Sequence, residues 1–228
     1  NQQQLIEAVR AANPRTIVVE MSAGPLAIPE IARHVPAILQ SWWPGEEGGH
    51  ALAQILFGDL SPAGRLPATV YASASQVPPV ADYDITHGFT YLYLRQKPLF
   101  AFGHGLSYTT FKYSHLKLST NQITATGQVS ITADLTNIGN RPGDEVPQLY
   151  VHQIHSHIPQ PIKELRGFQR ISLNPGQTKT VTFNLPAAKL ADWDDRTHTF
   201  VVPRDDFAIL LGASSADIRL RDTLHVIQ

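Results

Sequence analysis

The adjacent carboxylates Glu46 and Glu47, framed by Gly45 and by Gly48-Gly49, are the residues of this sequence best suited by type to acid/base chemistry. Two carboxyl groups can divide proton donation and proton abstraction when their surroundings keep one protonated and the other ionised. Sequence neighbours seldom converge on one substrate atom, though, and acidic groups at a helix N-terminus are favoured by the helix dipole without any catalytic purpose. Two readings therefore stand side by side: substrate-proximal carboxylates, or caps of the helix that follows. Glu20, at the end of an apolar run, is open to the same two readings.

Histidine is frequent, with ten residues. His152, His155 and His157 are close enough to suggest a metal site, but no HExxH arrangement accompanies them. On a strand, His155 and His157 would share a face that excludes His152, so the three read as exposed histidines at a strand end and loop. Gly103-His104-Gly105 has the composition of a phosphate loop without the strand–turn–helix context that such a loop needs. There is no GxSxG elbow, and no serine has an obvious histidine partner. Asp192-Trp193-Asp194-Asp195 reads as a solvated turn. The residues on their own do not assemble a self-sufficient active site.

The elements that must position these groups change character along the chain. Leu5, Ile6 and Val9, with Ala8 and Ala12, recur at helical spacing, and Asn13-Pro14 stops that helix. The β-branched run Thr16–Met21 reads as a strand covered on both faces. A short helix is expected from Pro29, an extended segment from Val35 to Trp43, a helix from His50 to Phe57 with Gly58 as its glycine cap, and a third strand from Leu66 to Tyr71. This alternation predicts a parallel sheet with crossover helices. A three-stranded parallel sheet needs cover on both faces, so the expectation is a partial α/β unit completed by chain beyond these residues. Residues 72–108 mix breakers with seven aromatics from Tyr83 to Tyr108. That composition predicts an ordered strap packed against a neighbour rather than a disordered linker.

From Phe111 the period becomes two. Val129, Ile131, Ala133 and Leu135 alternate with polar residues, and Val146–His152, Glu164–Leu173, Thr180–Leu185 and Phe207–Leu211 are further strands. Asn174-Pro175-Gly176-Gln177 is a turn. The spacing predicts a β-sandwich, with Phe168, Phe183, Phe200 and Phe207 in its core. The expected organisation is α/β plus all-β: residues 1–74 as a partial α/β unit, 75–110 as the strap, 111–228 as the sandwich.

Composition narrows the function classes. Among 228 residues, 18 Lys plus Arg balance 19 Asp plus Glu, which leaves no basic field to attract a nucleic-acid backbone. Cysteine is absent, which removes disulfides, thiolate metal sites and cysteine nucleophiles. Apolar runs such as Thr16–Met21 fall well short of the ~20 residues of a membrane-spanning helix. The opening Asn1–Gln4 shows neither the charge nor the apolar stretch of a signal peptide, and the chain is expected to begin within something longer or after processing.

Longer motifs carry a family resemblance. Pro44-Gly45-Glu46-Glu47-Gly48-Gly49 with Leu56-Phe57-Gly58-Asp59-Leu60-Ser61-Pro62-Ala63-Gly64-Arg65-Leu66-Pro67 resembles the C-terminal α/β domain of glycoside hydrolase family 3. Phe102-Gly103-His104-Gly105-Leu106-Ser107-Tyr108-Thr109-Thr110-Phe111 is similar to a further stretch typical of that family. Gly143-Asp144-Glu145-Val146, Lys163-Glu164-Leu165-Arg166-Gly167-Phe168 and Leu173-Asn174-Pro175-Gly176 resemble its fibronectin-type-III-like domain. The resemblance implies the C-terminal portion of a retaining exo-acting β-glucosidase or β-xylosidase, with no cofactor and no metal. It also implies that the nucleophile lies in an N-terminal (β/α)₈ barrel and the acid/base in the upstream half of the α/β domain, both beyond this chain. No catalytic residue is then expected here, and the chain alone is expected to be inactive. The loops Ser22–Pro25 and Trp42–Gly49 become the candidates for lying near a β-linked oligosaccharide, with Ser22, Trp43, Glu46 and Glu47 as substrate-proximal or loop-supporting residues. Family analogy favours a periplasmic or extracellular setting, and neither nucleic acid nor membrane is an expected partner. Where relatives often carry an Arg-Thr-Tyr-Arg-Tyr-like run, this chain has Gly88-Phe89-Thr90-Tyr91-Leu92-Tyr93, which removes two arginines from any substrate role of the strap. Asp82-Tyr83-Asp84 leans toward the xylosidase-like branch. The competing expectations are a carbohydrate-binding module or a non-catalytic structural module.

Overall fold

The computed structural model describes residues 1–227. Helix α1 (Gln2–Ala12) opens with the Asn1 side chain accepting from the Gln4 N–H at 3.3 Å and ends at Asn13, whose backbone is already extended. Strand β1 (Ile17–Glu20), helix α2 (Pro29–His34) and strand β2 (Ala37–Gln40) follow. Pro29 sits in the first turn of α2, where its missing N–H costs nothing. The two strands pair in parallel, with Ile17 opposite Ala37 and Glu20 opposite Gln40. Helix α3 (Gly48–Leu56) ends at Phe57, and Gly58 adopts φ +81°, the left-handed conformation that glycine takes without a Cβ penalty.

The third parallel strand expected from Leu66 to Tyr71 does not form. Val70 instead makes an isolated antiparallel bridge to Phe100, its N–H donating to the Phe100 carbonyl at 2.9 Å. Leu66 and Gly103 extend the same contact, since the Gly103 N–H donates to the Leu66 carbonyl at 2.8 Å. Pro67 denies the segment a donor, and the strap offers the backbone partners that a third strand would have found in the sheet.

The α/β portion buries little. Among the described residues 25 apolar side chains are buried, and of these only Val35 and Val70 precede Phe111. Helix α1 has no buried residue, and Leu5, Val9, Phe57 and Leu60 are exposed. The moiety is two strands and three helices whose apolar stripes remain largely uncovered.

The strap is held by specific contacts. Helix α4 (Thr90–Tyr93) presents Tyr91, whose ring stacks on Phe102 at 4.2 Å and meets Tyr150 edge-on at 6.0 Å. The Tyr91 hydroxyl accepts from the Leu165 N–H at 3.2 Å. The buried Gln148 amide donates to the carbonyls of Gly103 (3.1 Å) and Ala213 (2.7 Å) and accepts from the Tyr150 hydroxyl at 2.5 Å. Not every strap aromatic packs: Tyr83 is 90% exposed, beside Val80 at 96%.

The remainder forms strands β3 (Phe111–Leu118), β4 (Gln122–Thr124), β5 (Gln128–Asn137), β6 (Gly143–Glu145), β7 (Gln148–Gln153), β8 (Glu164–Phe168), β9 (Ile171–Leu173), β10 (Thr178–Pro186), β11 (Asp192–Asp194), β12 (Thr199–Val201), β13 (Asp206–Ser214) and β14 (Asp217–Ile227). A three-stranded sheet, β10-β5-β3, and a five-stranded sheet, β4-β14-β13-β7-β8, share one core; β6-β9 and β11-β12 form two small pairs. Alternation places Val129, Ile131, Ala133 and Leu135 against Leu149, Ile209, Leu211 and Leu224, all buried.

Several expectations change in detail. The Glu164–Leu173 run divides into β8 and β9, with Phe168, the last residue of β8, exposed rather than in the core. Phe200 is exposed too, on the β11-β12 hairpin that replaces the solvated turn expected at Asp192–Asp195. Both phenylalanines lie on strands too short to choose a buried face by alternation alone.

Candidate functional site

Parallel pairing sends the carboxyl ends of β1 and β2 to one edge, the edge at which open α/β sheets bind ligands. The Ser41 N–H donates to the Glu20 carbonyl at 2.8 Å, so the pairing continues past the last register position and brings the Ser22 and Trp42 loops out together. At that edge the Gln40 amide nitrogen lies 2.8 and 3.1 Å from the Glu20 carboxylate oxygens, to which it donates. The Ser22 hydroxyl lies 2.7 Å from the Gly24 carbonyl, to which it donates. Burial pushes the Glu20 carboxyl above its ordinary value, and its contact with the Ser22 hydroxyl pulls the other way.

The second loop is shaped by backbone. Trp42 has φ +50°, an outlier for so bulky a residue, and Trp43 beside it is 74% exposed. Gly45 takes φ +67°, and Gly48 is buried so tightly against Pro44 that a side chain there would collide with the proline ring. Glu47 occupies the N-cap of α3 but its side chain makes no capping bond, reaching instead to His50 Nδ1 at 2.7 Å. Glu46 is exposed, without a hydrogen-bond partner among the described residues. Neither side chain makes a capping bond, although Glu47 stands at the helix N-terminus, where the dipole favours a carboxylate. The structure brings Ser22, Glu20 and Gln40 together, places Trp43 at the same edge, and gives Glu46 and Glu47 no common partner.

The histidine cluster separates. β7 ends at Gln153, so His155 and His157 lie in a loop, not on a strand face. His152 Nδ1 donates to the Pro161 carbonyl at 2.9 Å, and His155 pairs with Asp205 at 3.0 Å. Among the described residues, no group of three metal-binding side chains converges.

Charged residues inside the longer motifs meet elsewhere. Arg65 Nη2 reaches Glu145 Oε1 at 2.6 Å, with side-chain exposures of 9% and 4%. The Arg65 Nη1 donates to the carbonyls of Ala63 and Gly64. Arg219 lies 4.8 Å over the Tyr113 ring, donates to the Phe111 carbonyl at 2.8 Å and pairs with Asp217 at 2.8 Å. The His104 ring stacks on Phe100 at 5.6 Å; burial first, and the Arg65 charge second, hold its pKa below the ordinary value. Sequence reasoning did not single out Arg65, Glu145, Gln148 or Arg219. The available signal was charge or amide embedded in otherwise small and apolar motifs.

Comparison with known proteins accords with this layout. Residues 1–108 match the Glycosyl hydrolase family 3 C-terminal domain and residues 145–215 the Fibronectin type III-like domain. A beta-glucosidase of Rhizobium radiobacter is 37% identical over 99% of this chain and 29% of its own length. A beta-xylosidase of Formosa agariphila is 38% identical over 94% of this chain and 30% of its own. The crystal structure of beta-D-glucoside glucohydrolase from Trichoderma reesei superposes with a TM-score of 0.88 at 35% identity, covering all of this chain and 36% of that one. The chain thus spans about 30% of the length of the curated relatives it matches.

Proposed function

Residues 1–108 belong to the C-terminal domain family of the family 3 glycosyl hydrolases, joined to a fibronectin type III-like domain, and from that premise we propose that the chain is the C-terminal portion of a retaining, exo-acting β-glycosidase. Its substrates are terminal, non-reducing β-D-glucosyl or β-D-xylosyl residues. Retention uses two carboxyl groups roughly 5–5.5 Å apart, a nucleophile and an acid/base. In this reading both come from polypeptide outside these 228 residues. The chain supplies one edge of the site and braces it through strap and sandwich.

One observation carries the reading: a two-stranded parallel sheet and its helices leave their apolar stripes exposed while the sandwich is fully cored. An upstream α/β half and a barrel are the layers that would cover them. At the edge facing that upstream part, Trp43 offers an indole face for a pyranose, and Ser22 with the Glu20–Gln40 pair fixes the adjoining loop. Glu47, bonded to His50, and the exposed Glu46 border that loop and in this reading transfer no proton.

The test is hydrolysis of 4-nitrophenyl β-D-glucoside and β-D-xyloside. The complete polypeptide is expected to release nitrophenol and to yield the β-anomer first in proton NMR. Residues 1–228 alone are expected to release none; robust turnover by that segment refutes the placement of the catalytic pair.

A second reading, polysaccharide binding by the sandwich, is favoured by one feature. Trp193 and Phe200 meet edge-to-face at 5.2 Å on an exposed hairpin. Retarded mobility on xylan or glucan gels, abolished by Trp193→Ala, is the outcome that supports it.

A further inference from the structure

Residues 82–88 of the strap fold around a single imidazole. His87 Nδ1 lies 2.8 Å from Asp82 Oδ2, and its Nε2 lies 3.4 Å from Asp84 Oδ2. Each carboxylate commits its other oxygen to the same loop. Asp82 Oδ1 accepts from the Asp84 N–H at 3.1 Å, and Asp84 Oδ1 accepts from the Thr86 N–H at 2.9 Å and the Thr86 hydroxyl at 2.6 Å. We propose that this loop is a pH-sensitive clasp, closed while His87 is an imidazolium and opened when the ring loses its proton.

The donor count decides which state closes. An imidazolium has two N–H donors, whereas a neutral imidazole has one donor and one lone pair. Only the charged ring donates to both carboxylates. After deprotonation one ring nitrogen turns its lone pair on a carboxylate, and that carboxylate is tied in place by its other oxygen. An attraction is exchanged for a repulsion, and the loop is what yields. Gly88 supplies the hinge: its φ is +94°, and nothing lies within 4 Å of where a Cβ would stand. Beyond it α4 stays anchored, since the Thr90 N–H donates to the Tyr71 hydroxyl and the Tyr91 N–H to the Thr69 hydroxyl, both at 2.9 Å. Opening therefore releases the exposed tip at Val80 and Tyr83 and leaves the Tyr91 stack in place.

The neighbouring charges set the pH window. The bond to Asp82 first, then the charges of Asp82 and Asp84, hold the His87 ring above its ordinary value. The bond from His87 holds Asp82 below its ordinary value, and the Thr86 hydroxyl does the same for Asp84. From α4, the Tyr93 hydroxyl is raised by burial first and by the charges of Glu164, Asp84 and Asp192 next, so it stays neutral and adds no charge. A raised imidazole contributes fully below its unfolded value and loses that contribution as pH rises through the folded one. Depressed carboxylates contribute fully above their unfolded value and lose it in acid. The clasp is therefore closed between about pH 4 and about pH 6.5 and opens above that range.

The experiment is amide hydrogen exchange on the complete polypeptide with millisecond labelling, each rate divided by the intrinsic rate at that pH. The reporters are the N–H groups of Asp82, Asp84, Thr86, His87 and Phe89, all bonded within the loop or to Pro79. Their protection is expected to fall about two- to fivefold from pH 5.5 to pH 8, the range open to exposed ion pairs, while β5 is unchanged. His87→Gln is expected to give the low protection at both pH values. Asp84→Asn is expected to keep protection at both, because its amide can donate to the neutral ring where a carboxylate repels it. The proposal is overturned if the parent is equally protected at both pH values, or if the full fall persists in either variant. It is equally overturned if His87→Gln stays as protected as the parent in acid. Exchange reads the loop and not turnover, so these results leave the proposed activity to its own test.

Discussion

Arg65 and Glu145, eighty positions apart, form a buried ion pair of 2.6 Å that joins the end of the α/β portion to the sandwich. Two charges taken from water are held at that junction by each other and by backbone bonds, Arg65 to the Ala63 and Gly64 carbonyls and the Val146 N–H to Glu145. Glu145→Gln is expected to lower unfolding free energy by about 3–5 kcal/mol, since it strands the Arg65 guanidinium. The double variant Arg65→Met/Glu145→Leu should recover most of that loss in a denaturant titration. If the double variant is as unstable as the single, the pair is not the fastener described.

Tyr91 is the strap's principal anchor. Tyr91→Phe removes only the acceptor for the Leu165 N–H and should cost about 1 kcal/mol. Tyr91→Ala also removes the stack on Phe102 and should cost about 3 kcal/mol or more. Equal effects in thermal melts would show that ring packing is not what holds the strap.

Gly103 and Gly176 both have positive φ, yet they should respond differently to a methyl group. A Cβ at Gly103 would collide with the Gln148 amide, whereas one at Gly176 meets nothing within 4 Å. Gly176→Ala is expected to cost about 1–2 kcal/mol from backbone conformation alone. Gly103→Ala adds roughly 1–3 kcal/mol of overpacking. Chemical denaturation of the two variants side by side measures the difference.

Asp205 governs part of the acid limb. Burial pushes its carboxyl up, but bonds from Gln153, the Asp206 N–H and His155 together hold it below its ordinary value of 3.8. A depressed carboxylate contributes stability that is complete above the unfolded pKa and is lost as pH falls through the folded one. The stability advantage of the parent over Asp205→Asn should therefore be constant above about pH 4 and shrink below it. An advantage that grows on acidification would reverse the assignment.

Glu46→Gln and Glu47→Gln, made in the complete polypeptide, are expected to leave kcat on an aryl β-glycoside within about tenfold of the parent. General acid or base catalysis is worth about 10²–10⁴-fold. A loss of that size in either variant would make its carboxylate a proton-transfer group.

Legibility followed the reach of the forces involved. Val129, Ile131, Ala133 and Leu135 could be placed inward from alternation because a half-buried strand imposes period two on its own sequence. Gly58 and Gly176 could be read as turn formers because positive φ is a local demand. The Leu66–Tyr71 segment misled because its apolar pattern says nothing about whether β2 or the strap is its partner. β14 escaped notice although Ile218, Leu220, Leu224 and Val226 face inward, since Arg219, Arg221 and Asp222 dilute the run. At the sheet edge, the crossover pattern located the two loops, but neither the left-handed backbone of Trp42 nor the Glu20–Gln40 contact leaves a mark in sequence.

The exposed stretch around Val80 and Tyr83 has a consequence for handling the protein. As an exposed loop tip with packed flanks, it is a target for a protease. A nick there would separate nothing at once. Arg65 with Glu145, Thr69 with Tyr91, Ser61 with Ser107 and Val70 with Phe100 all straddle the break. The two pieces should travel as one species under native electrophoresis and part only in detergent, which makes the digest a direct reading of how firmly the strap is fastened.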